Sequence, residues 1–203
     1  MAPSPARPRL LDRAELPANT VELARFLIGK LVVRTLSEGV AAGRIVETEA
    51  YLVGDPASHA YRGETARNRV LFGERGHAYV YLAYGTAWML NVSSETPGIG
   101  AGVLIRAIEP TYGVAIMQQN RGTTRVRDVA RGPGRLCAAL AIDRALDGAD
   151  LCSPGLLWLG SDGQPSGDIG LSTRIGLTRA ADRPLRFYVR GSPFVSGPRA
   201  LNS

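Results

Sequence analysis

The sequence predicts an α+β fold: one domain built on a largely antiparallel sheet, with a protruding β-hairpin. Three observations carry this reading. Apolar runs of strand length follow one another closely at Lys30–Leu36, Val40–Leu52, Ala78–Tyr84, Trp88–Ser93 and Gly102–Ile108. Apart from one early helix, the helix-patterned stretches come after those strands and do not alternate with them. A Tyr-Gly pair, Tyr84-Gly85, joins two of the runs at hairpin spacing.

The elements follow in order. Residues 1–18 are rich in proline and arginine and read as a loose arm, with the domain proper spanning 19–203. Asn19 with Glu22 three residues on has the pattern of a capping box, opening a helix through Leu23, Phe26 and Leu27 that Gly29 ends. After the strands, Thr111 can cap a helix through Val114, Ile116 and Met117. A second helix follows Gly134, with Leu136, Ala139, Leu140 and Ile142 on one face. The last third is punctuated by glycine and proline and carries strand-like pieces at Leu156–Leu159 and Leu185–Arg190.

Composition narrows the function. A chain of 203 residues with 45% hydrophobic content can bury one core and has no apolar run long enough to cross a bilayer. The first residues, MAPSPARPRLLDRAEL, carry charges where a secretion signal needs its apolar stretch, so a cytoplasmic location is expected. Cys137 and Cys152 are the only cysteines, and with His59 and His77 far away they suggest neither a disulfide framework nor a zinc site, so no metal or cofactor is expected. The net charge is +6, and among the cations Lys30 is the sole lysine. Arginine forks bind phosphate and stack on bases, so the balance favours a polyanionic partner, although a GC-rich coding bias produces the same composition. With one lysine, chemistry through a Schiff base is disfavoured.

The segment Arg44–Tyr51, RIVETEAY, is the most informative. Residues two apart share a strand face, so Glu47, Glu49 and Tyr51 point the same way. Carboxylates turned toward a core or cleft are costly unless paired or used, and an acid beside an aromatic wall suits water activation next to a flat substrate. Two acids satisfied by arginines is the plainer alternative. Arg106, among the apolar residues of GVLIRAIEP, needs a partner: Glu47 or Glu49, or a phosphate. The stretch His77–Gly85 holds Tyr79, Tyr81 and Tyr84, and Tyr84 at the hairpin tip is a candidate wedge between stacked bases or a cover over its own hairpin. Arg62, Arg67, Arg69 and Arg75, with the arginines between Arg121 and Arg135, suit a phosphate backbone, or a solvated surface. Glycine patterns for nucleotide binding and hydrolytic triads are absent from the sequence.

Taken together the motifs resemble the alkyladenine (3-methyladenine) DNA glycosylase family. ARFLIGKLVVR (24–34), GRIVETEAYLVG (43–54), RNR (67–69), YVYLAYG (79–85), NVSS (91–94), VLIRAIEP (103–110), GPGRLCAALAI (132–142), RIG (174–176) and PLRFYVRGSPFVS (184–196) occur in the family's order through most of the chain. The resemblance implies a curved sheet flanked by helices, and it assigns roles. Glu49 would activate water and Arg106 would help hold it. Tyr51 on one side, with His59 and Tyr81 on the other, would sandwich an extruded base; Asn91 would crowd a normal guanine; Leu104 and the carbonyl of Ile175 would complete the pocket. Tyr84 would fill the gap left in the duplex, and Arg67, Arg69, Arg131 and Arg135 would contact phosphates. The expected protein is a monomeric, monofunctional glycosylase that flips alkylated or otherwise modified purines out of double-stranded DNA and leaves an abasic site. A non-catalytic nucleic-acid binding module of the same fold would keep Tyr84 and the arginines without needing Glu49. A small-molecule hydrolase would need the acid and tyrosines without the basic loops.

Overall fold

The computed structural model describes residues 8–198 and residue 200. Among these residues nine strands, β1 (Arg9–Leu10), β2 (Leu31–Leu36), β3 (Gly39–Tyr51), β4 (Ala78–Ala83), β5 (Ala87–Ser93), β6 (Gly102–Tyr112), β7 (Leu157–Ser161), β8 (Ile169–Ser172) and β9 (Arg186–Val189), form one sheet in which every pairing is antiparallel, with the order β1-β7-β2-β3-β6-β5-β4 and β8 paired with β9 beside β3. β3 (Gly39–Tyr51) is the spine. β6 (Gly102–Tyr112) pairs along most of one edge; β2 (Leu31–Leu36) takes the first half of the other edge and β9 (Arg186–Val189) the second. Four α-helices accompany the sheet: α1 (Thr20–Leu27), α2 (Val114–Arg121), α3 (Val126–Val129) and α4 (Pro133–Ala139). Leu23 and Leu27 of α1, Met117 of α2 and Leu136 of α4 share a core with Ile45, Val80, Leu90, Val103 and Ile105 of the strands. Among the described residues no helix is long and apolar enough to cross a membrane.

Local chemistry explains the boundaries. Asn19 caps α1, its side chain accepting from the amides of Val21 and Glu22. The chain leaves that helix through Gly29 at φ +84°, a conformation that favours glycine. Thr111 does not cap the next helix: it belongs to β6, where its hydroxyl donates to the carbonyl of Ala42 at 3.0 Å, and α2 starts after Gly113 at φ +59°. Of the expected loose arm, residues 1–7 lie outside the described residues, and residues 8–18 are packed. β1 (Arg9–Leu10) pairs with β7 (Leu157–Ser161), Asp12 forms a capping box with Glu15, and Leu11 and Leu16 are buried. Burying two leucines contributes roughly 3–6 kcal/mol toward the cost of ordering the segment, alongside the β1–β7 pairing and the capping box.

The feature that positions the site is a pair of compensating register shifts between β3 and β6. Ile45 faces Ile108 and Glu47 faces Ala107, whereas Thr48 faces Ile105. Val46 is therefore extra on β3, and Arg106 is extra on β6. A residue released from strict alternation can be re-aimed, and Arg106 reaches both acids of β3.

Candidate active site

Glu47 and Glu49 are both fully buried, but the structure gives them different surroundings. Glu47 is saturated. Its Oε1 accepts from Arg106 Nε (2.9 Å), Arg186 Nε (2.7 Å) and Ser196 Oγ (3.0 Å), and its Oε2 accepts from the Ser196 amide (2.7 Å). Burial alone would raise this carboxyl; the two guanidiniums and the Ser196 bonds outweigh it and hold Glu47 below the usual carboxylate range. Glu49 keeps spare capacity. Its Oε1 accepts the Ile175 amide at 2.7 Å and faces Arg106 Nη1 at 3.1 Å, while its Oε2 accepts only the Tyr51 hydroxyl, at 2.9 Å. A carboxylate oxygen has two lone pairs, so Oε2 retains one for a further donor. Both acids together hold Arg106 charged, raising its pKa against the effect of burial.

Tyr51 is also part of the wall of a cavity of about 180 Å³ that includes His59, Tyr79, Tyr81, Asn91 and Leu177, with Tyr84 at its rim. Glu49 lies beneath Tyr51, off the cavity surface. Tyr51 carries the guanidinium of Arg174 over its ring at 4.7 Å, and Arg174 is itself clamped by Asp55 and donates to the carbonyl of Ala50 at 3.0 Å. Also in the wall, His59 and Tyr81 pack with ring centroids 4.4 Å apart, and Tyr79 stacks on Tyr81 at 5.3 Å. Tyr81 is pushed up to about 12, chiefly by burial, so it remains a neutral aromatic surface at any physiological pH. Asn91 is fixed by donating its amide to the Tyr79 carbonyl at 3.2 Å.

The structure thus gathers most of the residues singled out from the sequence. Tyr51, His59, Tyr81 and Asn91 line one cavity, and Glu49, with Arg106 against it, is joined to that cavity by the Tyr51 hydroxyl. Leu104 is buried between Glu49 and Asn91 in the sheet and does not line the cavity. Ile175 contributes its amide to Glu49, and the wall from that segment is Leu177. Tyr79 and Arg174 were not singled out as site residues. Tyr79 alternates with Tyr81 as a neighbour on one strand face, the one signal that could have found it. Arg67 lies over the Tyr81 ring at 5.8 Å, and Arg69 is exposed in the 3-10 turn Arg69–Phe72.

Tyr84 is 95% exposed, and its φ of +49° precedes Gly85 at +70°. The Thr86 amide closes the turn onto the Ala83 carbonyl at 3.0 Å. A bulky aromatic held left-handed costs on the order of 1 kcal/mol, and here the ring is turned into solvent, where packing gives nothing back.

His59 makes a checkable prediction. Its Nδ1 lies 2.9 Å from the Tyr79 hydroxyl, and burial first, then the charge of Arg67, lowers its pKa. A lowered folded-state pKa means stability is fully present above about pH 6.5 and declines as pH falls through the folded value. Titrated by NMR, His59 should have a midpoint below about 6.5, and Arg67→Gln should move that midpoint up without bringing it fully to 6.5. An unmoved midpoint would remove Arg67 from the site's electrostatics.

Comparison with known proteins places the chain. The family model for methylpurine-DNA glycosylase matches residues 14–193. A protein of Mesorhizobium japonicum is 70% identical over 191 residues, covering 94% of this chain and 92% of that protein. One of Paraburkholderia phytofirmans is 51% identical over 191 residues (94% and 90%), and one of Methanoculleus marisnigri is 50% identical over 190 residues (92% and 98%). All three are named as candidate 3-methyladenine DNA glycosylases.

Proposed function

From the premise that the chain belongs to the methylpurine-DNA glycosylase family, DNA glycosylases for alkylated bases, we propose that it excises modified purines by flipping the nucleotide into the Tyr51–Tyr81 cavity and hydrolysing the glycosidic bond with Glu49. The observation that carries the reading is the asymmetry between the two buried acids: Glu47 accepts four hydrogen bonds, two of them from guanidiniums, whereas Glu49 Oε2 accepts from the hydroxyl of Tyr51, a residue that lines the cavity. A base stacked in duplex DNA is out of reach, so it must rotate out, and the vacancy needs a plug. Tyr84 supports that role by its exposure and its strained turn. Tyr51 forms one wall of the sandwich, His59 and Tyr81 the other, and Asn91 crowds the position of a guanine amino group.

Cleavage of the C1′–N bond builds positive charge on the sugar as the electron pair leaves with the purine. Water bound at Glu49 Oε2 adds its oxygen to C1′ and passes its proton to the carboxylate, while the anion stabilises the developing cation. Arg106 faces Glu49 Oε1 at 3.1 Å and holds it in place. An alkylated purine already carries positive charge and leaves readily. A neutral lesion needs a proton first. The product is an abasic site with the strand intact: elimination would need an amine to form an imine, and the lone lysine, Lys30, stands over the Phe26 ring away from the cavity. Arg67, Arg69, Arg131 and Arg135 contact phosphates in this reading, which describes a protein acting as a monomer on the chromosome in the cytoplasm.

Incubation with duplex DNA carrying 3-methyladenine, ethenoadenine or hypoxanthine should release the free base, with strand breakage only after alkali. No release from any of them would overturn the reading. Tyr84→Ala should leave the fold within about 0.5 kcal/mol of wild type, because the side chain touches little. Lost stacking should weaken binding to lesion duplex by roughly 10- to 100-fold, equivalent to about 1–3 kcal/mol. Unchanged affinity by fluorescence titration would remove the plug role.

A further inference from the structure

Three arginines on the face beside the hairpin cluster with one mode of anchoring. Arg121, the last residue of α2, donates Nε to the Val129 carbonyl at 3.0 Å. Arg127 of α3 donates Nε to the Pro193 carbonyl at 3.1 Å, and Arg131 donates Nε to the Val195 carbonyl at 2.7 Å. None of the three pairs with a carboxylate among the described residues. The nearby acid, Asp128, instead faces Arg135 at 3.9 Å. Arg13, Arg44, Arg106, Arg174 and Arg186 each have an acid partner, and Arg75 is held singly by Nε on the Leu16 carbonyl at 3.1 Å, away from this cluster. Here a backbone carbonyl fixes each guanidinium at Nε and leaves the terminal fork without an anion.

The three line one continuous surface. Arg121 and Arg131 wall a groove whose other side is Thr86–Met89, the residues that follow Tyr84 in the hairpin. Arg131 is shared with a second hollow that contains Arg127 and the 191–195 segment. The close approach that shapes the groove is between α4 and the hairpin: a Cβ on Gly134 would lie 2.8 Å from Ala87 Cβ. Two-pronged donors, held rigid and lacking an anion, match the paired oxygens of a phosphodiester.

We propose that Arg121, Arg127 and Arg131 form a track for the phosphodiester backbone of the duplex on the α2–α4 side of the hairpin, gripping DNA independently of the lesion. The proposal rests on the DNA-acting reading above, and it is tested on undamaged duplex so that the two can fail separately. Each phosphate contact contributes about 0.9 to the slope of log affinity against log salt, so the slope counts contacts. Arg127→Gln, at an exposed position, should lower the wild-type slope by about one, and the triple variant Arg121→Gln/Arg127→Gln/Arg131→Gln by about three. Arg9→Gln removes an equal charge from β1, at the opposite end of the strand order, and should leave the slope unaltered. Melting curves exclude a misfolded triple variant, and the single variant carries the test if the triple does not fold. Wild-type slopes in the arginine variants would overturn the track, as would an equal fall in Arg9→Gln, which would show that only net charge matters. Excision of a modified base by wild type stands or falls on its own in either case.

Discussion

Replacing Glu47 by alanine should cost about 3–5 kcal/mol of folding stability, the largest loss expected from any single change in the site. The carboxylate is fully buried and is the common acceptor for Arg106, Arg186 and both the amide and hydroxyl of Ser196. Removing it takes the Glu47 carboxylate from two buried guanidiniums, Arg186 and Arg106, of which Arg106 keeps Glu49, and part of the desolvation they have undergone is then uncompensated. Against a total stability of roughly 5–15 kcal/mol this is a large fraction, and for a chain of this size it corresponds to a melting point lower by about 10 °C or more. The same carboxyl sets an acid limit. Its folded-state pKa is depressed, so its contribution is fully present above about pH 4.3 and is lost as pH falls through the folded value. Calorimetry of Glu47→Ala at neutral pH measures the first effect; a melting point within a degree or two of wild type would show that Glu47 is not the anchor.

Glu49→Gln should do the reverse, leaving the fold and removing the chemistry. Glutamine fits the same bonds: its carbonyl can sit at Oε1 and accept the Ile175 amide and Arg106, while its amide group faces the Tyr51 oxygen, which can accept. Arg106 keeps a carboxylate partner in Glu47, so no buried charge is orphaned. What disappears, in the proposed reaction, is the proton acceptor for water and the anion facing the developing sugar cation. General base catalysis alone is worth about 10²–10⁴ in rate, so the excision rate constant should fall by at least about 100-fold. The two neighbouring acids, alike in sequence, are thus predicted to separate cleanly: one variant melts early and the other folds but does not excise.

How far the sequence revealed this follows from the range of the forces involved. The spine strand and its partners were legible because a half-buried strand must show apolar runs bounded by turn residues, and Asn19 marks its helix by local capping chemistry. β1 and β8 (Ile169–Ser172) were not, being too short for a period to register. The N-terminal segment was misread because composition reports proline and arginine and says nothing of where Leu11 and Leu16 find a core. Thr111 was misplaced because β6 runs on to Tyr112 and the turn falls at Gly113. In the site, Glu47, Glu49, Tyr51 and Arg106 stood out as costly residues in apolar strands. Their division of labour did not. It depends on the register shifts that free Arg106 and on Ser196, which lies 149 residues along the chain from Glu47. No local pattern encodes such contacts.

The account's central claim is that Glu49 activates the water. The most direct measurement is single-turnover release of a modified purine from lesion duplex, with enzyme saturating, for wild type and Glu49→Gln, alongside the affinity of each for the same duplex. The account predicts affinity within a few-fold of wild type and release slowed by at least about 100-fold. Release at the wild-type rate by a folded, DNA-bound Glu49→Gln protein would contradict it.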